Sequence, residues 1–170
     1  MGKQGKTGIR KQTHPSAVMW TGGGILLTAA LLIRIRAGSP LPVLHLLDTD
    51  GHLPPLALLG LCWFGGFFLF GCGAGYVLSC PRGSAAASWR FRGFVYGLAC
   101  LTAALGWYPL LFAVQSLWLS WLCLLIACLF CTLCMLCWLR VRRQSGLFFF
   151  PVTLWLTFLT ILQFILLMRQ

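Results

Sequence analysis

Few residues in this chain could do chemistry, and they fall into three groups. Cys128, Cys131, Cys134 and Cys137 form a C-x2-C-x2-C-x2-C run, a spacing that in a loop would suit zinc or an iron–sulfur cluster. No Gly or Pro interrupts the run. On a helix each step of three residues turns about 300°, so the four sulfurs spread around the axis and do not converge on one ion. We expect no metal there, and read the thiols as small apolar side chains. His45, Asp48, Asp50 and His52 make a second group, in a polar stretch whose spacing matches no metal motif; a solvated loop is the simpler reading. His14, in a basic tail, has no companion. The third group is aromatic. Trp63, Trp107 and Trp155 sit deep in long apolar runs, and a buried indole N–H needs a partner or a cavity to face. Their default role is packing; three such rings also suit a pocket for a flat, mostly apolar ligand. A Ser-His-Asp set, a P-loop and a dinucleotide fingerprint are all missing from the sequence.

The elements carrying these residues follow from composition. Of the 170 residues 59% are hydrophobic and 9% are charged, against about 25% charged in a soluble domain. The class is therefore an all-α integral membrane protein, since runs of this length satisfy their backbone in lipid only as helices. Charged residues divide the chain into a basic tail, 1–16, and a transmembrane domain, 17–170, with spans expected at 17–33, 53–78, 93–113, 117–139 and 145–168. The uncharged stretch from Gly93 to Leu139 is too long for one crossing, so a turn is expected near Ala113–Ser116, after Trp107-Tyr108-Pro109. With the N-terminus inside, the inner segments hold Lys3, Lys6, Arg10, Lys11, Arg82, Arg90, Arg92, Arg140, Arg142 and Arg143; the outer ones hold Arg34, Arg36 and Arg169. This ten-to-three division follows the positive-inside rule and places the C-terminus outside. It also accounts for the net charge of +11 without nucleic acid.

The first span is expected to be retained rather than cleaved, because Arg34-Ile35-Arg36 stands where a small-residue cleavage site would. The short basic tail suits a bacterial cytoplasmic membrane. Asp48 and Asp50 are the sole acids in the sequence, so an intramembrane acid–base pair or proton path is not expected. Gly71 and Gly75 form a small-xxx-small face, as do Ala99 and Ala103; each serves either internal packing or a homodimer seam. Trp20, Trp89, Trp118 and Trp138 lie near span ends and read as interface anchors. A cholesterol-recognition pattern is absent: no Lys or Arg follows Tyr76, Tyr96 or Tyr108 within five residues.

Three stretches resemble the translocator protein family (TspO/MBR), also called tryptophan-rich sensory proteins. Pro54-Pro55, Trp63, Phe67 and Gly71 keep the spacing of its second-helix pattern. Trp107, Pro109 and Phe112 match the end of its third helix. Pro151, Val152, Trp155, Phe158 and Gln163 match its fifth helix. The resemblance implies five helices and a pocket open toward the outer loop. It implies ligands such as haem or protoporphyrin, or sterol-like molecules, bound as cargo or signal with no cofactor required. Trp63, Phe67, Trp107, Trp155 and Phe158 would line the pocket. Pro54, Pro55, Gly71, Gly75, Pro109 and Pro151 would shape the helices, with Pro54 and Pro55 fixing the start of the second. Porphyrin breakdown, linked to some members, would fall to Trp63 and Trp155. The family's polar pocket positions fall here on Phe67, Cys100, Ala104, Cys123, Val152 and Gln163, which predicts a divergent member that prefers more apolar ligands or binds porphyrins weakly. Two other readings stay open on the residues alone: a small structural or assembly subunit of a larger membrane complex, and a metal or redox protein using the cysteine run.

Overall fold

A computed structural model describes residues 15–37, 56–80 and 84–168. These form α1 (Pro15–Ala37), α2 (Leu56–Ser79), α3 (Ser84–Phe112), α4 (Leu117–Val141), the short α5 (Arg143–Leu147) and α6 (Phe150–Met168). Five segments are long and apolar enough to cross a membrane, the last being Arg143–Met168, which combines α5 and α6. The described residues contain no strand. Pro54, Pro55, His14, His45, Asp48, Asp50 and His52 lie outside the described residues.

Helix ends follow local chemistry. Helix α3 begins at Ser84, well before the uncharged run opens at Gly93, so Trp89, Arg90 and Arg92 are helical. Charge marks where lipid ends; it does not mark where a helix ends. The turn between α3 and α4 lies where the sequence places it. Gln115 takes a left-handed φ of 57°, and the Ser116 hydroxyl caps α4 by accepting from the Leu119 N–H. Pro109 lies inside α3 without breaking it, and its carbonyl accepts from Ala113 and Val114. The last span is not one helix. Pro151 has no N–H to offer Leu147, so the chain steps out after Leu147 and starts again at Phe150, leaving Pro151 in the first turn. Ser145 holds this corner through hydrogen bonds to the carbonyls of Trp138 (2.8 Å) and Arg142 (2.6 Å).

Neighbouring helices run in the cyclic order α1, α2, α6, α4, α3 and back to α1. Backbones approach most extensively in two pairs, α1 with α2 and α3 with α4; α2 meets α6 only thinly. Glycine makes the first pair possible. A Cβ on Gly22 would lie 2.6 Å from the Gly71 carbonyl oxygen, and one on Gly75 would run into Val18 and Met19. The Gly71–Gly75 face is thus filled by α1, and a homodimer would need another surface. Trp20 and Trp118 are exposed, whereas Trp138 is fully buried. It fits under α3 because Gly93 has no side chain, and it packs on Phe70, Phe94 and Phe149. Its position at a span end is therefore a core position, not the interface anchor its place in the sequence suggests.

Candidate functional site

Where α2, α3 and α6 face one another, their backbones stand apart and aromatic rings fill the space. Trp63, Phe67 and Phe70 follow i, i+4, i+7 spacing on α2 and point inward together. Cys100 and Ala104 are the corresponding pair on α3, and Val152 and Leu156 on α6. With Gly66, Leu101 and Trp155 they line a cleft. Its cavity holds about 20 Å³, far below the ~300–1,000 Å³ usual for small-molecule pockets. That is room for roughly one water molecule. The cleft is therefore closed down in this state.

Rings seal both of its ends. On one side Trp63 meets Trp107 with ring centroids 4.6 Å apart, and Trp63 also packs edge-on to Phe67 at 5.2 Å. On the other, Phe70 meets Phe149 at 4.8 Å, above the buried Trp138. Trp155 is half-buried and sits midway along its span, so its exposed edge faces the acyl chains rather than either membrane surface. Its Nε1–H is buried and has no hydrogen-bond partner.

The structure brings Trp63, Phe67 and Trp155 to the cleft. Trp107 stands behind Trp63 and is committed elsewhere: its Nε1 donates to the Gln163 side-chain oxygen at 2.8 Å. The Gln163 amide nitrogen donates to the Leu117 carbonyl at 3.1 Å and to the Ser120 hydroxyl, so this polar group is satisfied within α3, α4 and α6. Phe158 does not reach the cleft. It is 44% exposed and stacks on Trp155 with centroids 5.5 Å apart. The lining residues that sequence reasoning did not single out are Gly66, Phe70, Leu101 and Leu156. Phe70 continues the stripe of Trp63 and Phe67, and that spacing was the available signal.

Four positions at which the chain departs from the resembled pattern, Phe67, Cys100, Ala104 and Val152, all lie in the lining. Cys123 does not, and Gln163 is paired as above. The cleft has accordingly lost polar groups and kept shape. The cysteine run belongs to helix packing: Cys128 and Cys131 lie 3.3 and 3.4 Å from the hydroxyls of Thr157 and Thr153 on α6. Among the described residues no group of three or more His, Cys, Asp or Glu could hold a metal ion.

A bundle of five membrane-crossing segments around an aromatic, apolar cleft defines an integral membrane protein. The chain belongs to the TspO/MBR family, whose model matches residues 18–169. Membership suggests a receptor- or transporter-like role in the membrane. No curated protein matches the chain.

Proposed function

We propose that this protein binds a flat, largely apolar ligand between α2, α3 and α6, and holds or passes it within the bilayer. Tetrapyrroles such as protoporphyrin or haem are the first class to test, and sterol-like molecules the second. Three indoles, Trp121, Trp138 and Trp155, have a buried Nε1–H without a hydrogen-bond partner among the described residues, and Trp155, the one of these that lines the cleft, carries this reading. An indole donor enclosed in an apolar wall has a cost unless something accepts from it, and a ligand bearing a carboxylate, carbonyl or ring nitrogen would do so. Trp63 and Phe67 supply the stacking surface. The lining is apolar and aromatic, which supports binding and passage. Protoporphyrin is the better first probe than haem, because without iron it reads the stacking surface alone, free of ligation by the Cys100 sulfur.

The closed cleft must widen to admit such a molecule, which requires the Trp63 and Trp155 rings to swing. The assembly-subunit reading loses its best seam, since Gly71 and Gly75 are spent on α1. The test is a titration of the purified protein in detergent with protoporphyrin, read as tryptophan quenching. Saturable quenching is expected, weakened about tenfold in Trp63→Ala, a loss of the size expected when an aromatic stacking contact goes. Gly66→Ala separates the site from the fold. A Cβ there meets no atom within 4 Å, so the added methyl narrows the cleft without clashing with the helices. It should weaken the quench and leave thermal stability intact. Non-saturable quenching by protoporphyrin and by a sterol probe alike would defeat the reading.

A further inference from the structure

At the end of the bundle where α3 begins and α4 ends, two arginines meet on one indole. The Arg140 guanidinium of α4 lies over the Trp89 ring at 4.4 Å from its centroid, and Arg92, one turn after Trp89 on α3, lies at 5.4 Å. Trp89 is half-buried against the core, and both arginines are exposed. The ring's negative face pins each cation. Two cations drawn onto one ring repel each other, and an anion lying near both would relieve this.

The described residues contain no Asp or Glu and so supply no such anion. The two acids of the sequence, Asp48 and Asp50, lie outside the described residues, between the α1 and α2 ends that are remote from Trp89. The sequence adjoining the helix ends on the Trp89 side, 1–14, 80–83 and 141–149, has no Asp or Glu and adds further cations. Nearby, Arg90 donates to the Cys80 carbonyl at 2.8 Å and Arg142 lies over Tyr76 at 5.1 Å, so the cations converge most closely at Trp89.

The geometry points to a headgroup site: Arg92 and Arg140, held on Trp89, take the phosphodiester of an anionic membrane phospholipid. Two guanidinium forks suit a phosphate oxygen pair better than point charges do. A tryptophan at a span end lies at headgroup depth, where the bilayer supplies such anions. The acyl chains of a lipid hold its phosphodiester at this depth, an anchor that a dissolved phosphate lacks.

Native mass spectrometry of the detergent-purified protein tests the site, with phosphatidylglycerol and phosphatidylcholine of matched chains as probes. Phosphatidylglycerol should bind about thirtyfold more tightly, the sum of two arginines near a membrane surface. The Arg92→Gln/Arg140→Gln variant should bring the two lipids to near parity, while Arg36→Gln, at the other end, leaves the preference unchanged. Inorganic phosphate at about ten times the lipid concentration should not displace the lipid. Equal binding of the two lipids by the unmodified protein, or an undiminished preference in the double variant, overturns the proposal. Displacement by inorganic phosphate overturns it in favour of a soluble-anion site. Should the double variant fail to fold, Arg92→Lys/Arg140→Lys keeps the charge, and with it the preference, but removes the forks; it should bind phosphatidylglycerol several-fold more weakly, and undiminished affinity overturns the two-fork geometry.

Discussion

Trp155 and Trp107 show how one side-chain type serves two ends. The Trp107 N–H is bonded to Gln163, whereas that of Trp155 is buried and unpaired. Trp155→Phe keeps the ring and removes the donor. It should weaken protoporphyrin binding about five- to tenfold, the worth of roughly one hydrogen bond, and leave unfolding temperature unchanged or slightly raised. Equal affinity in Trp155→Phe would show that the ligand takes nothing from this N–H. Gln163→Leu does the opposite. It strands the Trp107 N–H in a core position, while the Ser120 hydroxyl keeps its bond to the Leu117 carbonyl at 3.0 Å, and should cost about 1–3 kcal/mol, read as a lower thermal midpoint in detergent. The sequence shows the deep position of all three indoles. It does not show which N–H is satisfied, because that depends on a glutamine 56 residues from Trp107 in the chain.

Helices were readable by number more readily than by face. Long uncharged runs and the arginines between them make the five crossings legible, and the Trp107-Tyr108-Pro109 stretch makes the α3–α4 turn legible. The inward face of each helix is another matter. Every side of α2 or α4 is apolar, so the polar-to-apolar contrast that orients a surface helix is missing. Residue size orients them instead. Gly71 and Gly75 mark where α1 docks, Gly93 marks the seat of Trp138, and these choices become visible only with the neighbour in place. Gly71→Leu should therefore force α1 from α2 and destabilise the protein by about 1–3 kcal/mol or more, while Gly65→Ala, which meets no atom within 4 Å, should be neutral or stabilising. Comparable thermal midpoints for the two variants would refute the zipper.

At the scale of the molecule, charge divides the ends of the bundle. The positive-inside expectation becomes a labelling experiment in intact cells: an impermeant maleimide should reach Arg36→Cys and not Arg143→Cys, judged against the unmodified chain. The reverse pattern would invert the topology. The bundle is also uneven within. Helices α1 and α2 are locked together by glycine, α3 and α4 by their long hairpin, and the ring-filled gap lies where these two bodies meet α6. Such a seam can part without unlocking either pair. A guest dissolved in the bilayer would arrive sideways, past Trp155, without crossing water. Its occupancy would then track the mole fraction of guest in the lipid, so that diluting the protein into more bilayer at a fixed total amount of guest empties the site, while changing the aqueous volume hardly alters it.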